Sequence, residues 1–235
     1  MNVQITVKAV GVVHSCLKEK FGIPRQPGIA PSATASLELL PPFDREEMVR
    51  DLEKFSHVWV YFYFHRAVEE GWKTTVRPPR LGGKKRVGVF ASRSPHRPNY
   101  LGMSAVRLTG VRREKGKIFL DLSGVDLLDG TPVVDIKPYI PYSDCIGEAE
   151  DGYTDNKIST MEVRFAGEAE RFCIRYKQET GRALRQLIVE LVGLDPRPPF
   201  QKKSRKEFGM LLWDVNVRWR VCGSYFEIVK LTRYE

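Results

Sequence analysis

The sequence predicts a mostly β chain, a barrel or a sandwich, followed by a small helix-and-hairpin part with α+β character. Three observations carry that reading. Short β-branched and aromatic runs recur at close spacing through the first 160 residues, separated by Gly, Pro, Asn and Asp. A helical period replaces them after about residue 160. Strict alternation then returns near the end of the chain, on a segment whose polar positions are largely basic.

Val3, Ile5 and Val7 alternate with polar neighbours ahead of Gly11 and predict a first strand inside a sheet. Asp44-Arg45-Glu46-Glu47 opens a short helix, with Asp44 as N-cap and Met48, Val49 and Leu52 as its apolar stripe. Residues 58–64 are β-branched or aromatic at every position, as buried strands are. Further strands are predicted over 86–91, 104–111, 117–123 and 131–136. Leu184, Leu187, Ile188 and Leu191 mark a helix over 179–192 that stops at Gly193, ahead of a Pro-rich stretch at 195–200. From Leu211 to Val221 the odd positions are apolar, while Asp214, Asn216, Arg218 and Arg220 form the other face. A last strand over 225–231 follows the Gly223-Ser224 turn. This organisation divides the chain into 1–160 and 161–235.

A hydrophobic share of 42% and a charged share of 29% exclude disorder as the main state. The net charge of +9 favours an anionic partner such as nucleic acid, through steering and counterion release. Residues 161–235 are the more basic per residue. Their densest cluster, Lys202-Lys203-Ser204-Arg205-Lys206, precedes the strand that shows Arg218 and Arg220, which together make either a phosphate-binding edge or a solvated loop. Cys16, Cys145, Cys173 and Cys222 are widely separated, so neither zinc nor a disulfide framework is signalled and a reducing compartment fits. His14, His57, His65 and His96 lack metal-ligand spacing, and no metal is expected. Residues 1–13 lack the pattern of a secretory signal, and the longest apolar run is far below the roughly 20 residues of a membrane-spanning helix. A cytoplasmic protein without a membrane segment is the expectation.

Two stretches have the composition of sites. In 88–102 a strand runs into a rigid polar turn: Pro95 and Pro98 restrict it, Asn99 can bond its own backbone, and Arg93 and Arg97 offer planar donor forks for carboxylate or phosphate. A plain exposed connector is the alternative. In 127–144 the Asp129-Gly130 turn leads to Asp135, Lys137, Tyr139 and Tyr142 set among three prolines. Phe64-His65-Arg66 and Pro24-Arg25-Gln26-Pro27-Gly28 read as loops at strand ends. Dinucleotide, phosphate-loop, zinc-protease and nucleophile-elbow motifs are absent, so residue types alone reach only a basic, β-rich binding protein.

These residues resemble the motifs of the TrmO (YaeB-like) transfer RNA methyltransferase family, at 88–102, 129–144 and 57–65. The likeness extends through 24–28, Gly71-Trp72, 77–83 and 195–198, so it covers the whole chain. One position departs from the family pattern: Tyr100 stands where proline usually follows Arg-Pro-Asn.

The resemblance implies a single-sheet β-barrel that binds S-adenosylmethionine (SAM) without a Rossmann fold, a small C-terminal domain, and a homodimer. It implies methylation of the N6 atom of N6-threonylcarbamoyladenosine, just 3′ of the anticodon, chiefly in threonine tRNA. Cofactor contacts are then expected at Gln26, Pro27, Gly28, His65, Arg66, Arg93, Leu127, Leu128, Asp129 and Gly130. The acceptor nitrogen is amide-like, so a group that takes its proton helps; Asp135 and Tyr142 are the candidates, with an Asp135–Lys137 structural pair as the alternative. Arg97 or Lys137 could hold the substrate carboxylate. Arg197, Lys202, Lys203, Arg205 and Arg218 could hold the anticodon-loop backbone. Two rival readings are a non-catalytic RNA-binding barrel and a SAM-dependent enzyme acting on a small metabolite.

Overall fold

Alternation along β7 (Lys117–Ser123) buries Ile118, Leu120 and Leu122 on one face, and the same period-two logic closes six antiparallel strands into a barrel. The computed structural model describes residues 3–78, 83, 85–152, 159–198 and 207–234. With β1 (Gly11–Ser15), β2 (Thr34–Leu39), β3 (His57–Tyr63), β6 (Leu101–Glu114) and β8 (Pro132–Pro138), the order around the barrel is β1-β2-β7-β6-β3-β8, and β8 pairs back to β1. A two-stranded ribbon, β4 (Thr75–Val76) with β5 (Val87–Gly88), lies outside the ring.

The aromatic strand β3 is buried on one face only. Val58, Val60 and Phe62 fill the barrel, and Gly102 opposite Phe62 makes room, since a β-carbon there would lie 2.4 Å from the Phe62 ring. Trp59, Tyr61 and Tyr63 point outward, in register with Ala105, Met103 and Leu101 on β6 and, for Trp59 and Tyr61, with Lys137 and Asp135 on β8.

The second sheet runs β10 (Glu207–Leu212), β11 (Val215–Cys222), β12 (Tyr225–Arg233) and β9 (Glu162–Phe165), the last parallel to β12. A single turn, α2 (Pro141–Asp144), follows the barrel, and two helices cover the second sheet, α3 (Gly167–Thr180) and α4 (Leu184–Gly193). Leu184, Leu187, Ile188 and Leu191 of α4 join Val215, Val217, Trp219, Phe226 and Ile228 in its core.

Several expectations change. Residues 3–10 form no strand and Val3, Ile5 and Val7 are exposed: a closed barrel has no free edge for that segment to pair with. The first helix is the single turn α1 (Glu46–Val49), flanked by Arg45 and not by Asp44; Met48 is exposed and Val49 alone is buried. Only Val87–Gly88 of 86–91 is strand, and Val89–Ala91 is a 3-10 turn. The helix over 179–192 is interrupted, because Gly181 in the left-handed region (φ 74°) closes α3 and α4 begins at Leu184. The strand over 211–221 is a hairpin. Its two-residue turn at Trp213-Asp214 inverts parity, so Phe208, Met210 and Leu212 face inward before it, and Val215, Val217 and Trp219 after it.

The two parts are sewn together. Phe21, from the loop between β1 and β2, stacks on Trp219 (ring centroids 5.8 Å apart, 11° between planes) and on Phe208 (6.3 Å). Leu17 bridges Leu212, and the Glu190 carboxylate accepts hydrogen bonds from Ser32 N–H (2.8 Å) and Ser32 Oγ–H (2.9 Å).

Candidate functional site

Antiparallel register brings the loops after β1, β3 and β7 and the loop before β6 to the same end of the barrel. Two loops there lock through their glycines. Gly28 N–H donates to Gly124 O at 2.8 Å, both residues have positive φ (79° and 69°), and a β-carbon at Gly124 would lie 3.2 Å from Gly28 Cα. Gly130, also at positive φ (76°), donates to Val13 O at 2.8 Å. Asp129 holds the same turn by its carboxylate, accepting from Ser15 N–H (2.8 Å) and pairing with Lys18 Nζ (2.8 Å). Its side chain is thus engaged within the fold, and Leu127 and Leu128 line the cleft beside it.

That cleft, of about 220 Å³, is lined by Phe62, Phe64, His65, Arg66 and the 126–128 segment, with Pro95 and His96 opposite in sequence. Its notable member is Asp126, whose carboxylate accepts from Ser104 Oγ–H at 2.6 Å. Burial pushes the Asp126 carboxyl up to about 6, against the pull of the Ser104 hydrogen bond and the Arg93 charge. Burial, with the Arg66 charge, also holds the His65 imidazole below its ordinary value. His96 Nδ1 is buried and has no hydrogen-bond partner among the described residues, while its Nε2 lies 3.6 Å from Glu70, which pairs with Lys20 at 2.6 Å. A buried polar atom without a partner is a place for a ligand group.

A second cleft, of about 610 Å³, shares Pro95 with the first and is lined by Arg25, Gln26, Arg77, Phe90, Arg93 and Ser94 among others. Arg93 Nη1 donates to Gln26 Oε1 at 2.5 Å, joining two expected cofactor residues that are far apart in sequence. The intervening loop is braced from within: Ser92 Oγ–H donates to Val89 O (2.8 Å) and Arg97 Nη1 to Ser92 O (3.0 Å). Tyr100 has φ 51°, a value closed to proline, so the departure from the family pattern goes with a different turn; its ring meets Tyr63 edge-on at 6.0 Å.

The structure therefore gathers Gln26, Arg93, His65, Arg66, Leu127 and Leu128 along the two clefts, with Pro27, Gly28, Asp129 and Gly130 in the loops that build them. Other expected residues stand elsewhere. Asp135 pairs with Lys137 (3.0 Å) on the outer face of the barrel, Tyr142 is 92% exposed, and neither lines either of these two clefts. Arg97 is used inside its own loop. Arg197 is only 7% exposed, binds Asp195 through two nitrogens and lies 4.9 Å over the Phe226 ring. Arg218 pairs with Glu207 at 3.2 Å on the outer face of the second sheet. Lys202, Lys203 and Arg205 lie outside the described residues. Sequence reasoning missed Asp126. Its signal was a lone acid in the apolar run Val125 to Leu128, one residue before the expected turn.

Comparison with known proteins follows the same two parts. Residues 12–145 match the family model of the tRNA-methyltransferase O N-terminal domain, and residues 158–234 that of the TrmO C-terminal domain. The chain is 46% identical over 215 residues to a putative S-adenosylmethionine-dependent methyltransferase RcsF of Pseudomonas aeruginosa, covering 91% of each. It is 45% identical over 229 residues to a tRNA (adenine(37)-N6)-methyltransferase of Escherichia coli, covering 94% of this chain and 95% of that one. A crystal structure of TrmO from Pseudomonas aeruginosa matches with a TM-score of 0.81 at 39% identity, covering 98% of this chain and 99% of the other.

Proposed function

The chain belongs to the tRNA-methyltransferase O family, and from that premise we propose that it methylates the N6 atom of N6-threonylcarbamoyladenosine in threonine tRNA, in the cytoplasm. It is a SAM-dependent methyltransferase acting on N6 of adenine 37 in tRNA, as its relatives are named. The observation that carries the finer reading is the adjacency of two unlike clefts. One is narrow and apolar and holds a carboxylate; the other is wide and ringed by arginine.

The smaller cleft fits the cofactor. SAM supplies, when bound, a methyl group on a positively charged sulfur. Asp126 offers the opposite charge in surroundings of low polarity, where it counts for more than in water. His96 Nδ1 offers a buried, unused polar atom. Leu127, Leu128 and Phe64 give apolar walls that exclude water, and the Gly28–Gly124 lock keeps the two loops in place. Transfer from such a donor depends on holding two reactants close and in line, which braced loops provide. Arg93, tied to Gln26, lines the larger cleft, which meets the smaller at Pro95.

The acceptor nitrogen must lose a proton, and within a single chain Asp135 and Tyr142 are outside both clefts. We take both to serve a neighbouring copy. The outer face of β3, β6 and β8 carries Trp59, Tyr61, Tyr63, Leu101 and Met103 beside Asp135, an apolar surface suited to a homodimer.

Mass spectrometry of nucleosides tests the substrate. Threonine tRNA bearing threonylcarbamoyladenosine, incubated with the protein and SAM, should gain one methyl on that nucleoside. A gain on unmodified adenosine instead would overturn the finer reading, and a gain on a small metabolite with none on tRNA would favour the rival enzyme.

A further inference from the structure

The larger cleft contains three groups that the fold itself does not use. Phe90 is 79% exposed, yet it sits in the 3-10 turn Val89–Ala91, pinned by buried Val89 and by the Ser92 hydrogen bond to Val89 O. An exposed ring on a rigid turn is a stacking platform. Arg25 and Arg77 are exposed on the same cleft, and neither makes an ion pair or hydrogen bond with the described residues. Several other guanidiniums are engaged within the fold: Arg97 by Ser92, Arg112 by Asp121, Arg218 by Glu207, Arg220 by Glu227. Asp151 also lines the cleft, but it is itself engaged, and three arginines line the cleft with it.

We propose that the larger cleft is the acceptor site, in which Phe90 stacks on the modified adenine while Arg25 and Arg77 bind the carboxylate of its side arm. The assignment rests on the reading of the substrate as N6-threonylcarbamoyladenosine and replaces the two cations first considered. Arg97 is consumed inside its loop, and Lys137 is held by Asp135 on the outside of the barrel. The smaller cleft sets the Asp126 carboxylate among Lys20, His65 and Arg66, whereas the larger gathers three arginines and suits an anionic acceptor; Arg93, tied to Gln26, lies on the larger. A planar guanidinium matches a carboxylate in both shape and charge, and stacking on Phe90 sets the plane of the base without reading its edge.

The test compares single-turnover methylation of two tRNAs, one with the natural acid side arm and one with that carboxylate converted to a methylamide. The parent enzyme should prefer the acid by about 10–100-fold, the range of one to two charge-assisted hydrogen bonds. Arg25→Ala and Arg77→Ala should each slow the acid substrate by about 10-fold and narrow the preference to within about 3-fold. Phe90→Ala should slow both tRNAs about 10-fold, with Phe90→Trp restoring them. SAM affinity by calorimetry should stay within about twofold throughout, which also shows that the variants are folded. An arginine variant that keeps the full acid preference, or one that loses SAM affinity in place of that preference, would sink the assignment. A parent enzyme inert on the acid-bearing tRNA would sink the substrate reading beneath it; a parent that is active, with variants indistinguishable from it, sinks the acceptor site alone.

Discussion

Gly28 and Gly124 meet backbone to backbone, the N–H of one 2.8 Å from the carbonyl of the other, and a side chain at Gly124 would crowd Gly28. Gly124→Ala would need a non-glycine residue at φ 69° and would set its β-carbon 3.2 Å from Gly28 Cα. The expected cost is about 1–2 kcal/mol of stability, read as a lower urea midpoint at unchanged slope. SAM affinity should fall about 10-fold, because Gly124 leads into the 126–128 segment that lines the smaller cleft. Gly88→Ala, with open space around it and no positive φ, is the control for stability. An unchanged affinity in a destabilised Gly124→Ala would show that the lock serves the fold and not the cleft.

Asp126 gives a dependence on pH whose sign is fixed by its environment. Its carboxyl is raised from 3.8 to about 6, so between those values the folded chain binds a proton that the unfolded chain does not. Stability from this group is therefore greatest below about pH 4 and declines as pH rises through about 6. Asp126→Asn keeps an acceptor for Ser104 and has no charge to desolvate. At pH 8 it should be more stable than the parent by about 1–2 kcal/mol, after discounting the side that opens on the cleft, and the gap should close near pH 4. SAM binding should move oppositely: tightening in the parent as pH rises through about 6, flat and about 10-fold weaker in Asp126→Asn. A variant less stable than the parent at pH 8 would show that the carboxylate is not desolvated.

The aromatic outer face predicts association. Trp59→Glu should convert a dimer to a monomer in sedimentation velocity, since it places a charge among Tyr139, Ala105 and Lys137 on that surface. If Asp135 serves the neighbour, mixing inactive Asp135→Asn with inactive Arg93→Ala should recover about a quarter of the parent rate, because half the dimers are mixed and one of their two sites is intact. No recovery from a mixture shown to exchange subunits would place Asp135 outside the chemistry.

Where side chains alternate against a single core, the sequence was readable: residues 117–123 form β7 at the expected bounds, and Leu184, Leu187, Ile188 and Leu191 are all buried. What it concealed has physical reasons. The turn at Trp213-Asp214 carries no Gly or Pro, and a tryptophan at φ 51° leaves no local mark. Helix α3 buries only Ala169, Cys173 and Tyr176 along fourteen residues, too thin a stripe to stand out among Glu, Arg and Lys. Closure of the barrel, which strips residues 3–10 of a partner, is a property of the whole ring and of no segment within it. At the site, the motif residues Gln26, His65 and Arg93 were legible by resemblance, while Asp126 becomes visible only when its surroundings are known.

Phe21 belongs in sequence to the loop that carries Gln26 and Gly28, yet its ring is packed against two aromatic side chains of the other sheet that also touch each other. Cutting near residue 160 would leave that ring facing water and untether one wall of the clefts. The second part is therefore no removable attachment. A chimera that exchanged it for a relative's would have to bring a matching pair of rings at positions 208 and 219, or move the Phe21 loop with it. A change in the second sheet is thereby a change in the frame that holds the clefts.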